Sequence, residues 1–184
     1  MPTIRRRRRP LALLLPLALA AVAGCRTMRG QRYHYDVAFD SEGPPWKEAS
    51  HSETAAVMTR EYVRPGETLG DWRELLTVQV FDRARGGFPA PAAAEASLRQ
   101  KMVARCPGVV WNEIAADSAS VLYEWRVAGC AGQPDQHEVA RILEGRGARA
   151  RIAYARKGAA MPDSVRAGWV ARLGKARFTT APIR

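Results

Sequence analysis

The chain is poor in the side chains that metal and nucleophile chemistry need. It has three histidines, His34, His51 and His137, and three cysteines, Cys25, Cys106 and Cys130, in 184 residues. No His-x-x-x-His or Cys-x-x-Cys spacing occurs, so the usual signatures of a zinc site or a dithiol redox centre are missing. Ser52, Ser97, Ser118, Ser120 and Ser164 lack the Gly-x-Ser-x-Gly elbow of an α/β-hydrolase. Gly145-x-Gly147 is too short for a phosphate loop and reads as a turn. These absences call for no cofactor and no metal. There is no internal repeat, and no apolar run reaches the roughly 20 residues that a membrane-crossing helix needs. Acids are scarce too, eighteen Asp and Glu against twenty-nine Lys and Arg.

What is present is concentrated at the start. Arg5 to Arg9 form a basic block, and Leu11 to Ala23 form an apolar run of thirteen residues interrupted by Pro16. That length suits a secretory signal rather than a membrane span. Ala21-Val22-Ala23 also fits an ordinary cleavage site, but Ala23 and Gly24 stand directly before a cysteine. Val22-Ala23-Gly24-Cys25 resembles the lipobox of bacterial lipoproteins. The resemblance implies that residues 1–24 are a signal peptide and that Cys25, the first mature residue, carries a thioether-linked diacylglycerol and an acylated amine. One acyl chain binds a membrane only marginally, whereas several hold it stably. Arg26, where an aspartate would favour the inner membrane, implies the periplasmic face of the outer membrane. Arg8-Arg9-Pro10-Leu11 also resembles a twin-arginine signal, so the export route stays open.

Removal of the signal changes the charge account. The mature 160 residues carry +6 rather than +11. The excess is confined to Arg141–Arg184, with eleven basic residues against Glu144 and Asp163, while residues 25–140 are slightly acidic. Arg166, Arg172, Lys175 and Arg177 are therefore candidate contacts for an anionic envelope surface or an acidic protein. Solvation alone accounts for such a face equally well. An exported chain without a nucleic-acid motif is not expected to bind nucleic acid.

With Cys25 used for lipid, Cys106 and Cys130 remain as an even pair, the norm in an oxidising compartment. A bridge between them closes a loop of about 25 residues and contributes about 3 kcal/mol in the chain-entropy view. Metal binding or redox work lacks a supporting motif.

Residues 26–32 read as a polar tether. Tyr33, Tyr35, Val37 and Phe39 alternate as in a half-buried strand, and Gly43-Pro44-Pro45 ends it. Thr54 to Val63 predicts a second strand, and Pro65-Gly66 a type II turn. Asp71-Trp72-Arg73-Glu74 predicts one helical turn capped by Asp71. Leu75 to Phe81 is rich in β-branched and aromatic residues, as strands are. A loop over Gly86-Gly87 and Pro89 follows. A helix over Ala92 to Arg105 then places Ala94, Leu98, Met102 and Val103 on one stripe, and Pro107-Gly108 stops it. Strands follow at Val109–Ile114, Val121–Val127, His137–Leu143 and Ala150–Tyr154, with the turn at Glu144–Gly147. A last helix from Pro162 to Leu173 buries Val165, Trp169 and Leu173.

This order predicts a single α+β domain over residues 33–184, a mostly antiparallel sheet with two main helices packed on it. The order of elements resembles the α/β/α sandwich of the photosystem accessory protein PsbP and its relatives. Glu61-Tyr62, Gly66-Glu67 and Asp71-Trp72-Arg73-Glu74-Leu75, with Cys106-Pro107, Tyr123-x-Trp125 and Cys130, resemble a group of exported proteobacterial proteins across residues 60–157. That group has no known activity, so the likeness implies a fold and no mechanism. Trp72, Trp111, Trp125 and Trp169 are expected in the core or a groove, with Trp46 more exposed. The expected function is that of a membrane-anchored, non-enzymatic binding or assembly accessory. A lipid-anchored hydrolase using Glu61, Glu67, Asp71 and Glu74 is the alternative, since paired carboxylates can divide acid and base roles.

Overall fold

Two strand meanders meet at the centre of one sheet. The computed structural model describes residues 33–38, 45–83 and 88–182. Cys25, the signal segment and the tether lie outside the described residues, as do Phe39, Gly43-Pro44 and Gly86-Gly87. The strands are β1 (Tyr33–Ala38), β2 (Lys47–Glu53), β3 (Val57–Val63), β4 (Glu74–Asp82), β5 (Val110–Ala116), β6 (Ser120–Val127), β7 (Gln136–Glu144), β8 (Ala148–Lys157) and β9 (Arg177–Pro182). Helix α1 (Pro91–Arg105) separates β4 from β5, and α2 (Asp163–Lys175) separates β8 from β9. The main sheet is seven-stranded in the order β2-β3-β4-β8-β7-β6-β5, antiparallel throughout, and β1 pairs with β9 in a separate ribbon. The domain is α+β.

Alternation along the strands places the helices on opposite faces. Leu122, Val139, Tyr154, Leu76 and Val78 cluster with Trp169 and Leu173 of α2. Their chain neighbours Val121, Tyr123, Ala140 and Ala153 cluster instead with Ala94 and, partly buried, Leu98 and Met102 of α1. Because successive side chains point to opposite faces, each helix covers one side of the sheet. Trp169 stacks on Tyr154 with ring centroids 4.1 Å apart, and Trp46 meets both rings edge-on. Full burial of a large apolar side chain contributes about 1.5–3 kcal/mol, and Trp169 and Tyr154 are buried in this way.

Local chemistry sets the boundaries. Pro91 begins α1, where its missing N–H costs nothing. Gly66 takes φ +86°, and the Glu67 N–H donates to the Arg64 carbonyl at 3.0 Å, closing the expected type II turn. The last carbonyls of α2 are satisfied from the sheet: Arg141 Nη1 donates to Leu173 and Gly174 at 2.9 and 2.7 Å, while Nη2 reaches Ser120. At the β7–β8 turn, Gly145 lies flat against the Phe178 ring; a Cβ there would come within 2.5 Å of it.

Three expectations are corrected. Asp71 to Glu74 do not form a helical turn. The Asp71 N–H returns to the Thr68 carbonyl and hydroxyl, and Glu74 already belongs to β4. Val103 is 44% exposed, because α1 turns it away from the sheet. Strands β2 and β9 add to the expected elements; β2 is a largely exposed edge, polar but for Ala49, without the apolar alternation of an interior strand.

Candidate functional site

The strand Ser120–Val127 carries a glutamate amid apolar residues. Glu124 shares its face with Leu122, the side covered by α2, so it is buried rather than solvated. Its carboxylate accepts four hydrogen bonds. Arg166 of α2 donates from Nε and Nη2, both at 2.6 Å, Asn112 of β5 donates at 3.0 Å, and His137 Nε2 of β7 lies 3.2 Å away. Burial alone raises a carboxyl pKa, but these donors outweigh it and hold Glu124 at about 2.

His137 is 5% exposed, and its second nitrogen is engaged as well: Nδ1 accepts the Met161 N–H at 3.0 Å. An acceptor Nδ1 carries no proton, so the neutral ring must hold its proton on Nε2 and donate it to Glu124. Burial lowers the His137 pKa, with Glu124 opposing, so the imidazole is neutral at pH 7.

These groups form the floor and wall of an open pocket of about 380 Å³, lined also by Val110, Arg126, Ala160 and Asp163. Both nitrogens of His137 and four acceptor positions of Glu124 are spoken for. These two groups thus form a hydrogen-bonded polar scaffold, and neither is free to act as a general base. Sequence reasoning named Arg166 only as a surface cation and passed over Glu124 and His137. The available signal was a charged residue in the middle of a strongly apolar strand, which strict alternation assigns to the solvent side.

No protein-family model matches the chain, and no curated protein does. The fold and the site therefore stand on the residues themselves.

The four carboxylates of the hydrolase alternative do not share one face of the sheet. Glu61 pairs with Thr77 in the ladder and Glu74 with Arg156, which puts Glu61 and Glu74 on opposite faces of the sheet. Glu74 is taken by Arg64 at 2.6 Å and Arg156 at 3.5 Å, and Glu67 by Arg73 at 3.0 Å; Asp71 is exposed. Among the described residues no group of three His, Cys, Asp or Glu is placed to hold a metal ion. No described helix is long and apolar enough to cross a membrane.

Cys106 and Cys130 lie at disulfide distance, with Cα atoms 5.7 Å apart, at the end of α1 and just past β6. Of the candidate surface cations, Arg166 is bound to Glu124, and Arg172 lies 5.4 Å above the Trp169 ring. Lys175 and Arg177 are exposed at the end of α2 and the start of β9. Beneath α1 a second polar cluster joins Arg151 to Glu138 at 2.5 Å and to the Tyr123 hydroxyl at 2.9 Å, while Trp125 Nε1 donates to Glu138 at 2.7 Å. Burial pushes the Tyr123 hydroxyl up to about 12, and the cluster is covered by α1, which suits a structural role.

Proposed function

We propose that the protein is a lipid-anchored lipoprotein of the cell envelope that acts as a non-enzymatic binding or assembly accessory. It is tethered through Cys25 and faces the periplasm, with the outer membrane as the favoured site. The observation that carries the non-enzymatic part is the full commitment of Glu124 and His137 to holding the pocket floor. A catalytic carboxylate or imidazole needs a free position toward its substrate, and on Glu124 and His137 those positions are filled. The placement of Glu61 and Glu74 on opposite faces, and the pairing of Glu74 and Glu67 with Arg64 and Arg73, make the hydrolase alternative the less favoured reading. Arg172, Lys175 and Arg177 are the cations proposed to meet an anionic envelope surface or acidic protein; Arg166, engaged by Glu124, is not among them.

Cell fractionation tests this reading. Wild-type protein should sediment with membranes and accumulate as a precursor under globomycin, whereas Cys25→Ser should leave the membrane fraction or remain unprocessed without responding to globomycin. A soluble wild-type protein overturns the anchor. For the surface contact, the triple change Arg172→Gln, Lys175→Gln and Arg177→Gln should abolish salt-sensitive binding to phosphatidylglycerol vesicles, and unchanged binding removes that part.

A further inference from the structure

The charges lining the pocket do not all cancel one another. Glu124 and Arg166 form an internal pair, and the His137 ring is neutral with both nitrogens engaged. Arg126 on β6 and Asp163 at the first position of α2 remain. Both are exposed and line the pocket, and neither has an ion pair or side-chain hydrogen bond with any described residue. Asp163 is within electrostatic reach of Arg166, whose guanidinium is already bound on two nitrogens by Glu124. The pocket thus offers one uncompensated cation from the sheet and one carboxylate from the helix.

The remaining lining is apolar. Val110 projects from the edge strand β5 and is 50% exposed, more than the other exposed large hydrophobics, while Met161 and Ala160 come from the segment before α2. Burying such a valine removes apolar surface from water, which favours binding. The pocket volume of about 380 Å³ lies in the range of small-molecule sites. A lone anion answers Arg126 but meets Asp163 unfavourably, and a lone ammonium does the reverse. A ligand with both charges and an aliphatic part satisfies every free group.

We propose that this pocket takes a small zwitterion of amino-acid or dipeptide type, with its carboxylate on Arg126, its ammonium on Asp163 and an aliphatic side chain against Val110 and Met161. The assignment rests on the binding role proposed above. A guanidinium matches a carboxylate with two parallel hydrogen bonds. The four-way grip on Glu124 keeps the floor in place, which limits the ordering cost of binding.

The test is titration of the ¹⁵N-labelled full chain with alanyl-leucine, following the amides of Val110, Arg126, Met161 and Asp163. These should shift saturably, and Arg126→Gln and Asp163→Asn should each weaken binding about tenfold or more. Both side chains are exposed, so the variants should keep the wild-type urea midpoint. Isovalerate, which lacks the ammonium, should bind more weakly and be insensitive to Asp163→Asn; isoamylamine should be insensitive to Arg126→Gln. Dipeptide binding unchanged in both variants overturns the proposal. Isovalerate or inorganic phosphate binding as tightly as the dipeptide also overturns it, as does glycerophosphoethanolamine binding more tightly, but these results leave the pocket a binding site. No shift with any probe removes the zwitterion assignment and the pocket's support for a binding role together. Membrane fractionation is independent of all these outcomes.

Discussion

Arg166 and Glu124 meet through two parallel hydrogen bonds, Nε to Oε2 and Nη2 to Oε1, each 2.6 Å long. The pair joins α2 to β6 across 42 residues of sequence. With Asn112 and His137 on the same carboxylate, strands β5, β6 and β7 and helix α2 all converge on one side chain.

Loss of that grip should be expensive. Arg166→Gln leaves Glu124 buried with only Asn112 and His137, and should cost about 2 kcal/mol. Arg177→Gln, at an exposed site, should stay within about 0.5 kcal/mol of wild type. Urea midpoints of the two variants measure the difference; equal midpoints would make Arg166 an ordinary surface cation.

Stability should fall with acid in two stages. His137 has a folded pKa below its ordinary value of about 6.5, because burial disfavours its charged form. The unfolded chain then binds the proton more readily, so this contribution is complete above that value and is lost as pH falls through it. Glu124, held at about 2, contributes above its unfolded value of about 4.3 and loses that contribution as pH falls toward its folded one. A urea series from neutral to acid should show both windows. His137→Asn should flatten the upper window and leave the lower one, whereas a profile unchanged by the substitution would assign the first stage elsewhere.

Reduction should loosen the junction between α1 and β6. The Cys106–Cys130 pair spans 24 residues, and a bridge over that loop contributes about 3 kcal/mol in the chain-entropy view. Urea unfolding with and without dithiothreitol gives the difference. Thiol titration of denatured, unreduced protein from the envelope should find Cys106 and Cys130 unreactive, and two reactive thiols would contradict the bridge.

Arg141→Ala should uncap α2 from a distance. The guanidinium serves carbonyls that no further helical turn can satisfy, those of Leu173 and Gly174. Its removal should cost about 1–3 kcal/mol and speed hydrogen exchange at the Ala176 amide, which bonds to Leu173. Exchange unaltered there would mean that water replaces the arginine without loss.

The sheet was legible where one face is apolar. Val121, Tyr123, Trp125 and Val127 announce β6 by alternation, and the stripe Val165, Trp169 and Leu173 announces α2. The same rule hid the site. Glu124 and Glu138 occupy positions that alternation gives to solvent, but a helix covers each face, so both are buried. Which distant cation meets a buried acid depends on the packing of α2, and no local pattern encodes a partner 42 positions away. Strand β2 was missed for the opposite reason. Lys-Glu-Ala-Ser-His-Ser-Glu buries nothing and is held as a strand by its ladder to β3 alone. Val103 fits the helical period of α1, yet the stripe that meets the sheet is too narrow to include it.

The ribbon of β1 and β9 has a practical side. Tyr33 is paired with Pro182 and Ala38 with Arg177, so the described chain enters and leaves at the same corner. A reporter fused after the last strand would emerge beside the incoming segment, crowding whatever that segment is attached to. An insertion at the β5–β6 turn, around the exposed Asp117 to Ala119, avoids both termini. For a protein proposed to hang from a lipid, the choice of fusion point decides whether a label reports on the domain or obstructs its mooring.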